Sequence, residues 1–121
     1  IAVLGINPHC ETVRKISEEV KIILPSIKKL KKKKININGP FSADTFFIYK
    51  NLKNYDVVVG MYHDQVLTPM KTLFNFDAIN ITLGLPFIRV SPDHGPNIEM
   101  IGKNKSDPSS VFCAMDFFSN L

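Results

Sequence analysis

Val57-Val58-Val59-Gly60-Met61-Tyr62-His63-Asp64-Gln65, at positions 57–65, reads as a buried strand that closes on a histidine and turns into a helix. A short apolar run rich in β-branched residues and bounded by polar ones suits a strand in a covered sheet. The chain opens on a second such run, Ile1-Ala2-Val3-Leu4-Gly5-Ile6, which closes on Asn7-Pro8-His9. In open α/β sheets ligands collect beyond the carboxyl ends of strands, and loops there carry functional side chains. Two imidazoles delivered to such positions, His9 and His63, would make half of a metal site.

Outward from these two runs, strand-like and helix-like segments alternate. Residues 17–34 predict a helix with Glu18 and Glu19 in its first turn and an apolar stripe of Val20, Ile23, Ile27 and Leu30. Pro25 inside it predicts a kink or a break into two pieces. Residues 35–38 alternate like a short strand that Gly39-Pro40 should stop, and Ser42 suits the N-cap of a short helix carrying Asp44, Phe46 and Phe47. A strand over 56–62 then leads to a helix over 64–74, with Leu67, Met70 and Phe74 expected inside. Two further β runs, 78–83 and 87–90, flank a Gly84-Leu85-Pro86 turn. Residues 91–108 read as loop, and a last helix from position 109 carries Val111, Met115 and Phe118. The alternation argues for an α/β domain with a layered core.

Composition narrows the class. A chain of 121 residues amounts to about one domain, and a 45% hydrophobic fraction is ordinary for a globular protein. No apolar stretch reaches the roughly 18–20 residues of a membrane span, and no signal-peptide pattern is present. A cytoplasmic protein is expected. The start at Ile1, directly in strand-like sequence, suggests a fragment of a longer polypeptide. The net charge of +4 is concentrated in Lys28, Lys29 and Lys31 to Lys34; without these six the rest of the chain is net negative. Such a run suits nucleic acid, but it lacks interleaved aromatics and falls at a helix end, where lysines favour the dipole and stay solvated. Cys10 and Cys113 form no paired motif. Cys113 reads as core, and Cys10, beside His9, reads as either a soft ligand or a bystander.

Several loop residues suit chemistry. A histidine ligand needs a carboxylate or carbonyl on its other ring nitrogen, and Asp64 or Asp44 could serve; Asp44 equally suits a helix-dipole partner. Lys71 lies about two turns beyond His63 on the same predicted helix. Asn80, polar within a buried-looking strand, should have a partner. Arg89 suits a phosphate or carboxylate, or a structural ion pair. Neither a G-x-G-x-x-G fingerprint nor a Walker-type loop occurs.

The strings GINPH, NGPFSADTFF, MYHDQVLTPMK, NITLGLPFIR and DHG, in order across the whole chain, resemble the C-terminal third of the 4-hydroxythreonine-4-phosphate dehydrogenase family of vitamin B6 synthesis. The stretch His94-Gly95, Gly102-Lys103-Asn104 and Pro108 is similar to the adenosine-binding loop of isopropylmalate and isocitrate dehydrogenases. The resemblance implies a fragment of an isocitrate/isopropylmalate dehydrogenase-like three-layer α/β/α fold, one partial α/β unit without its N-terminal region. It implies NAD- or NADP-dependent oxidation of 4-phosphooxy-threonine followed by decarboxylation to 3-amino-2-oxopropyl phosphate. It also implies a divalent metal (zinc, magnesium or cobalt) held by three histidines drawn from both subunits of a homodimer. His9 and His63 fall on two of those positions, Lys71, Asn80 and Arg89 on substrate-contacting ones, and Asp44 and Asp64 on acidic positions near the metal. Among the last two, Asp64 is favoured as the proton acceptor; Lys71 joins them as a catalytic candidate. His94 and Gly95 fall in the cofactor loop, with Glu99 and Asp107 as ribose or adenine contacts.

The chain departs from the family where a Gly-rich stretch with a second histidine normally follows Asn-Pro-His. Here it reads Cys10-Glu11-Thr12-Val13-Arg14. A third metal histidine has no counterpart in these residues, so the chain alone is expected to be inactive. Two alternatives accompany this reading: a related dehydrogenase for another phosphorylated hydroxy acid, such as a four-carbon sugar acid phosphate, and a non-catalytic nucleic-acid-binding module using the lysine run.

Overall fold

The computed structural model describes residues 1–120, apart from the side chains at 49 and 50. The chain divides into two compact units, Ile1–Pro69 and a second beginning at Met70.

The first unit is built on a parallel sheet of three short strands, β1 (Ala2–Leu4), β2 (Asn38–Phe41) and β3 (Val58–Val59), with β1 in the middle. Because side chains alternate across a strand, β1 feeds two cores. Val3 joins Ile23, Ile27 and Ile37 on one face. Ala2 and Leu4 join Phe46 on the other, backed by Phe41, Phe47, Leu52, Tyr55 and Val58. Each face has its own helices. A π-helical turn, Glu19–Ile23, runs into α1 (Leu24–Lys32) on the first, and α2 (Ala43–Phe46) and α3 (Tyr49–Leu52) contribute Phe46 and Leu52 to the second. Helices on both faces of a parallel sheet make a layered α/β arrangement. Aromatic rings tie the second core together, Phe41 to Phe46 at 5.3 Å and Phe46 to Tyr55 at 5.8 Å between centroids, each pair adding about 0.5–1.5 kcal/mol beyond its buried area.

The helix does not break at Pro25; its backbone stays helical and changes type there, from π to α. Proline lacks an N–H and crowds the carbonyl four residues back, and the helix meets this by widening to a π turn just before it. The stripe Ile23, Ile27 and Leu30 faces the core as expected. The second strand does not follow the expectation. It spans Asn38–Phe41, through Gly39 and Pro40, rather than ending before them. As an edge strand it tolerates a proline, and a Cβ at Gly39 would meet the Val3 carbonyl oxygen at 2.4 Å. The strand expected over 56–62 is only Val58–Val59. Ser42 occupies the N-cap position of α2, but its side chain makes no capping bond.

The second unit pairs β4 (Ile79–Thr82) with β5 (Arg89–Pro92) as an antiparallel hairpin. A 3₁₀ turn, Ile98–Met100, interrupts the expected loop before α5 (Ser109–Ser119). α5 packs on β4 and β5 through Ser110 and Ala114, and Val111, Met115 and Phe118 are exposed. Small residues one turn apart let the helix approach closely and define the inner face. α4 (His63–Phe74) contains the division between the units; Leu67 and Met70 are half-buried along it, whereas Phe74, expected inside, is exposed. Cys113 is half-buried, and neither cysteine is bonded to another.

Candidate functional site

His9 and His63 follow neighbouring parallel strands, β1 and β3, so both corners lie beyond the carboxyl end of the same sheet. The two rings are presented alike. His9 Nδ1–H donates to Asp44 Oδ2 at 2.8 Å, and His63 Nδ1–H donates to Asp64 Oδ1 at 2.9 Å. A carboxylate can only accept, so each pair fixes the tautomer and leaves Nε2 as the free lone pair. Carboxylate-oriented imidazoles of this kind are the usual form of histidine metal ligands. Both rings are exposed, at 81% and 77%. The choice left open for His63 is thus settled as Asp64, and Asp44 serves His9. The two histidines fit as metal ligands in number short of a complete set: among the described residues no three His, Cys, Asp or Glu side chains converge into a metal-binding group.

The corner carrying His9 is held from several sides. Glu19, 1% exposed, accepts the Asn7 N–H at 2.7 Å, and Asn7 Oδ1 accepts the His9 N–H at 2.9 Å. Burial pushes the Glu19 carboxyl up, but bonds from the main chain of Asn7, Glu19 and Ile6 and from Ser17 outweigh it and hold the group below its ordinary range. In the divergent stretch, Cys10 adopts φ 53° and its Sγ donates to the Pro40 carbonyl at 3.2 Å. Burial, then the charge of Glu19, pushes this thiol up, away from the thiolate a ligand or nucleophile requires. Glu11 Oε1 caps the rest of the loop by accepting from Val13 and Arg14.

Gln65 was not singled out by the sequence. It is 8% exposed, accepts the Met61 N–H on Oε1 at 2.7 Å and donates from Nε2 to the Gly5 carbonyl at 2.6 Å. No periodic signal marks it. Glu19 had one, since it lies four residues before Ile23 on the buried stripe.

In the second unit, Lys71 Nζ donates to the Asp93 carbonyl at 2.7 Å and lies 3.2 Å from Asp93 Oδ2. That oxygen is buried and takes no hydrogen bond among the described residues, so the nearby ammonium is the charge that compensates it. Asp93 is in turn fixed by its N–H to Ser110 Oγ at 2.8 Å. Arg89 donates to Thr82 Oγ1 at 2.8 Å across the hairpin, not to a carboxylate. Asn80 is exposed, so the partner that a buried asparagine would need is not required. His94, Gly95 and Asp107 line one cavity of about 580 Å³ with Phe76, Asn97 and Val111. Glu99 is exposed on the 3₁₀ turn and is not among the lining residues. Bonds from the Ser109 hydroxyl and N–H hold the Asp107 carboxyl below its ordinary range. Lys28, Lys29 and Lys31 to Lys34 are exposed at the end of α1, and Lys31 donates to Asn38 at 3.1 Å. No helix of the described residues is long and apolar enough to cross a membrane.

Residues 1–118 match the family profile described as pyridoxal phosphate biosynthetic protein PdxA. A 4-hydroxythreonine-4-phosphate dehydrogenase from Sulfurihydrogenibium sp. is 50% identical over 117 residues, covering 96% of this chain and 36% of that protein. One from Bradyrhizobium diazoefficiens is 45% identical over 122 residues, covering 100% and 35%. The crystal structure of a 4-hydroxythreonine-4-phosphate dehydrogenase from Klebsiella pneumoniae superposes with a TM-score of 0.74 at 38% identity, covering 95% of this chain and 37% of that one. The chain therefore spans about a third of the length of the curated relatives it matches.

Proposed function

This chain belongs to the family of pyridoxal phosphate biosynthetic protein PdxA, and on that premise we propose that it forms part of a cytoplasmic 4-hydroxythreonine-4-phosphate dehydrogenase. The protein oxidises the secondary hydroxyl of 4-phosphooxy-threonine, with hydride passing to NAD or NADP and the hydroxyl proton to a base. The resulting β-keto acid loses carbon dioxide, its electron pair moving onto the ketone oxygen, and reprotonation gives 3-amino-2-oxopropyl phosphate. The observation that carries this reading is the matched presentation of His9 and His63, each with Nδ1 held by an aspartate and Nε2 free.

A divalent ion held by His9, His63 and ligands from the rest of a homodimer would acidify the substrate hydroxyl and offset negative charge on its oxygen. Asp44 and Asp64 keep the imidazoles in the ligating tautomer. Asp64, 83% exposed at its side chain, is the favoured acceptor of the hydroxyl proton through the oxygen that His63 does not occupy. Lys71 and Arg89 supply positive charge for phosphate and carboxylate, and Asn80 offers an amide to orient the substrate. The cavity at His94, Gly95 and Asp107 suits the adenosine end of the cofactor, with Glu99 nearby in sequence; hydride chemistry belongs to the cofactor, and the protein orients it.

The test is formation of reduced cofactor by the intact protein with 4-phosphooxy-threonine, before and after chelation, and in His9→Ala and His63→Ala variants. Turnover should collapse in all three cases and return with added metal only in the unmodified protein. Full turnover after chelation, or with both imidazoles gone, would refute the proposal.

A further inference from the structure

We propose that Gln65 is a positioning residue that fixes the His63 corner to the His9 corner, an inference that rests on reading those histidines as metal ligands. β1 and β3 are paired only over Ala2–Val58 and Val3–Val59. Beyond those pairs, the Gly5 carbonyl and the Met61 N–H are linked through a side chain instead. The Gln65 side-chain amide inserts between them. Its Oε1 accepts from Met61 and its Nε2 donates to Gly5, at 2.7 and 2.6 Å. A primary amide has the donor–acceptor polarity of a peptide group, so it extends the ladder by one step at the place where each strand turns toward its histidine. The bridge is buried, which makes it stronger and makes its loss more costly.

Two further features converge on the same bridge. Gly60 lets α4 come in close: a Cβ there would meet Val66 Cγ2 at 2.2 Å and lie 3.5 Å from Gln65 Oε1. Glu19 also holds the Asn7 N–H. The chain leading to His9 is thus held at both the Gly5 carbonyl and the Asn7 N–H, with His9 two residues beyond the latter. Only a neutral amide of this length meets both main-chain groups. A carboxylate at 65 would set an anion against the Gly5 carbonyl, and a methionine would fill the space with neither donor nor acceptor.

The test uses the intact protein, cobalt(II) as the probe, chelator competition for affinity, and hydrogen exchange at the Met61 amide. Gln65→Met should weaken cobalt(II) binding about 10–100-fold, the usual range for residues that orient ligands, and raise Met61 exchange. Gln65→Glu adds a readout that general damage would not move. It keeps an acceptor for the Met61 N–H but has no donor for the Gly5 carbonyl, so at neutral pH it should retain more Met61 protection than Gln65→Met while still binding cobalt(II) more weakly than the unmodified protein. Unmodified affinity together with unmodified Met61 protection in Gln65→Met overturns the inference and leaves the metal reading intact. Cobalt(II) uptake that is absent from the unmodified protein, or indifferent to His9→Ala and His63→Ala, overturns the metal reading and with it this role. If Gln65→Met does not fold, Gln65→Glu decides alone, and unmodified cobalt(II) affinity in that variant overturns the inference.

Discussion

Replacing Ser110 with alanine removes one oxygen that serves two main-chain groups. Ser110 is fully buried, its Oγ accepts the Asp93 N–H at 2.8 Å and donates to the Ala78 carbonyl at 2.9 Å. Ala78 and Asp93 are half-buried, so water can reach them only in part. Each buried group left without a partner costs about 1–3 kcal/mol; partial burial puts each at about 1–1.5 kcal/mol, for a total of about 2–3 kcal/mol. With a urea dependence of about 2 kcal/mol per molar, the unfolding midpoint of the transition reporting on the second unit should fall by roughly 1–1.5 M. Because Lys71 leans on the Asp93 carbonyl, the proposed function adds a rise in the KM for 4-phosphooxy-threonine. Equilibrium urea unfolding of Ser110→Ala in the intact protein measures the first effect. A midpoint shift below about 0.3 M, well under 1 kcal/mol by the same slope, would refute the reasoning, since it would mean that the two groups are satisfied without the hydroxyl.

Asp44→Ala should lower metal affinity about 10–100-fold in a chelator competition while barely moving the melting temperature, because an exposed pair of this kind contributes about 1 kcal/mol at most; unchanged affinity would separate Asp44 from His9. The lowered Glu19 carboxyl fixes the sign of a pH effect. Its stabilisation is fully present above the unfolded glutamate pKa of about 4.3 and is lost as pH falls through the lower native value. Glu19→Gln should therefore be less stable than the unmodified protein at neutral pH, the gap closing in acid, and urea titrations at the two pH values will show whether it does. Gly60→Ala should destabilise by about 1–3 kcal/mol, because the added Cβ meets the stiff, branched Val66 at 2.2 Å; a thermal melt equal to that of the unmodified protein would show that the turn has room to spare.

Much of the architecture was legible because hydrophobic patterning carried it. The runs at 1–6 and 57–62 marked the two strands whose ends present the histidines, and Pro25 marked the change of helix type. Turn chemistry misled at Gly39-Pro40. There, glycine is required for close contact with Val3 and proline sits harmlessly on an edge, so two residues that usually punctuate a strand lie inside one. The inner face of α5 was not legible, because small residues, Ser110 and Ala114, define it while Val111, Met115 and Phe118 stay exposed. At the candidate site, the His63–Asp64 pair was legible from adjacency, whereas the bond of His9 to Asp44, 35 residues away, was not. The supports were not: Gln65, Asp93 and Ser110 act through main-chain groups distant in sequence, Gly5 at a separation of 60 residues for Gln65, and polar side chains that bond to backbone leave no periodic trace.

The π turn at Glu19–Ile23 amounts to one surplus residue in a helix that would otherwise wind evenly. Trimming a single residue from it would restore the tighter winding and swing everything upstream by about 100°. The Glu19 carboxylate would then point away from Asn7, though α1 and its apolar stripe would survive unchanged. Loop geometry around His9 is therefore geared to the length of a distant helix, and a shortening that leaves hydrophobic packing untouched would still disengage it.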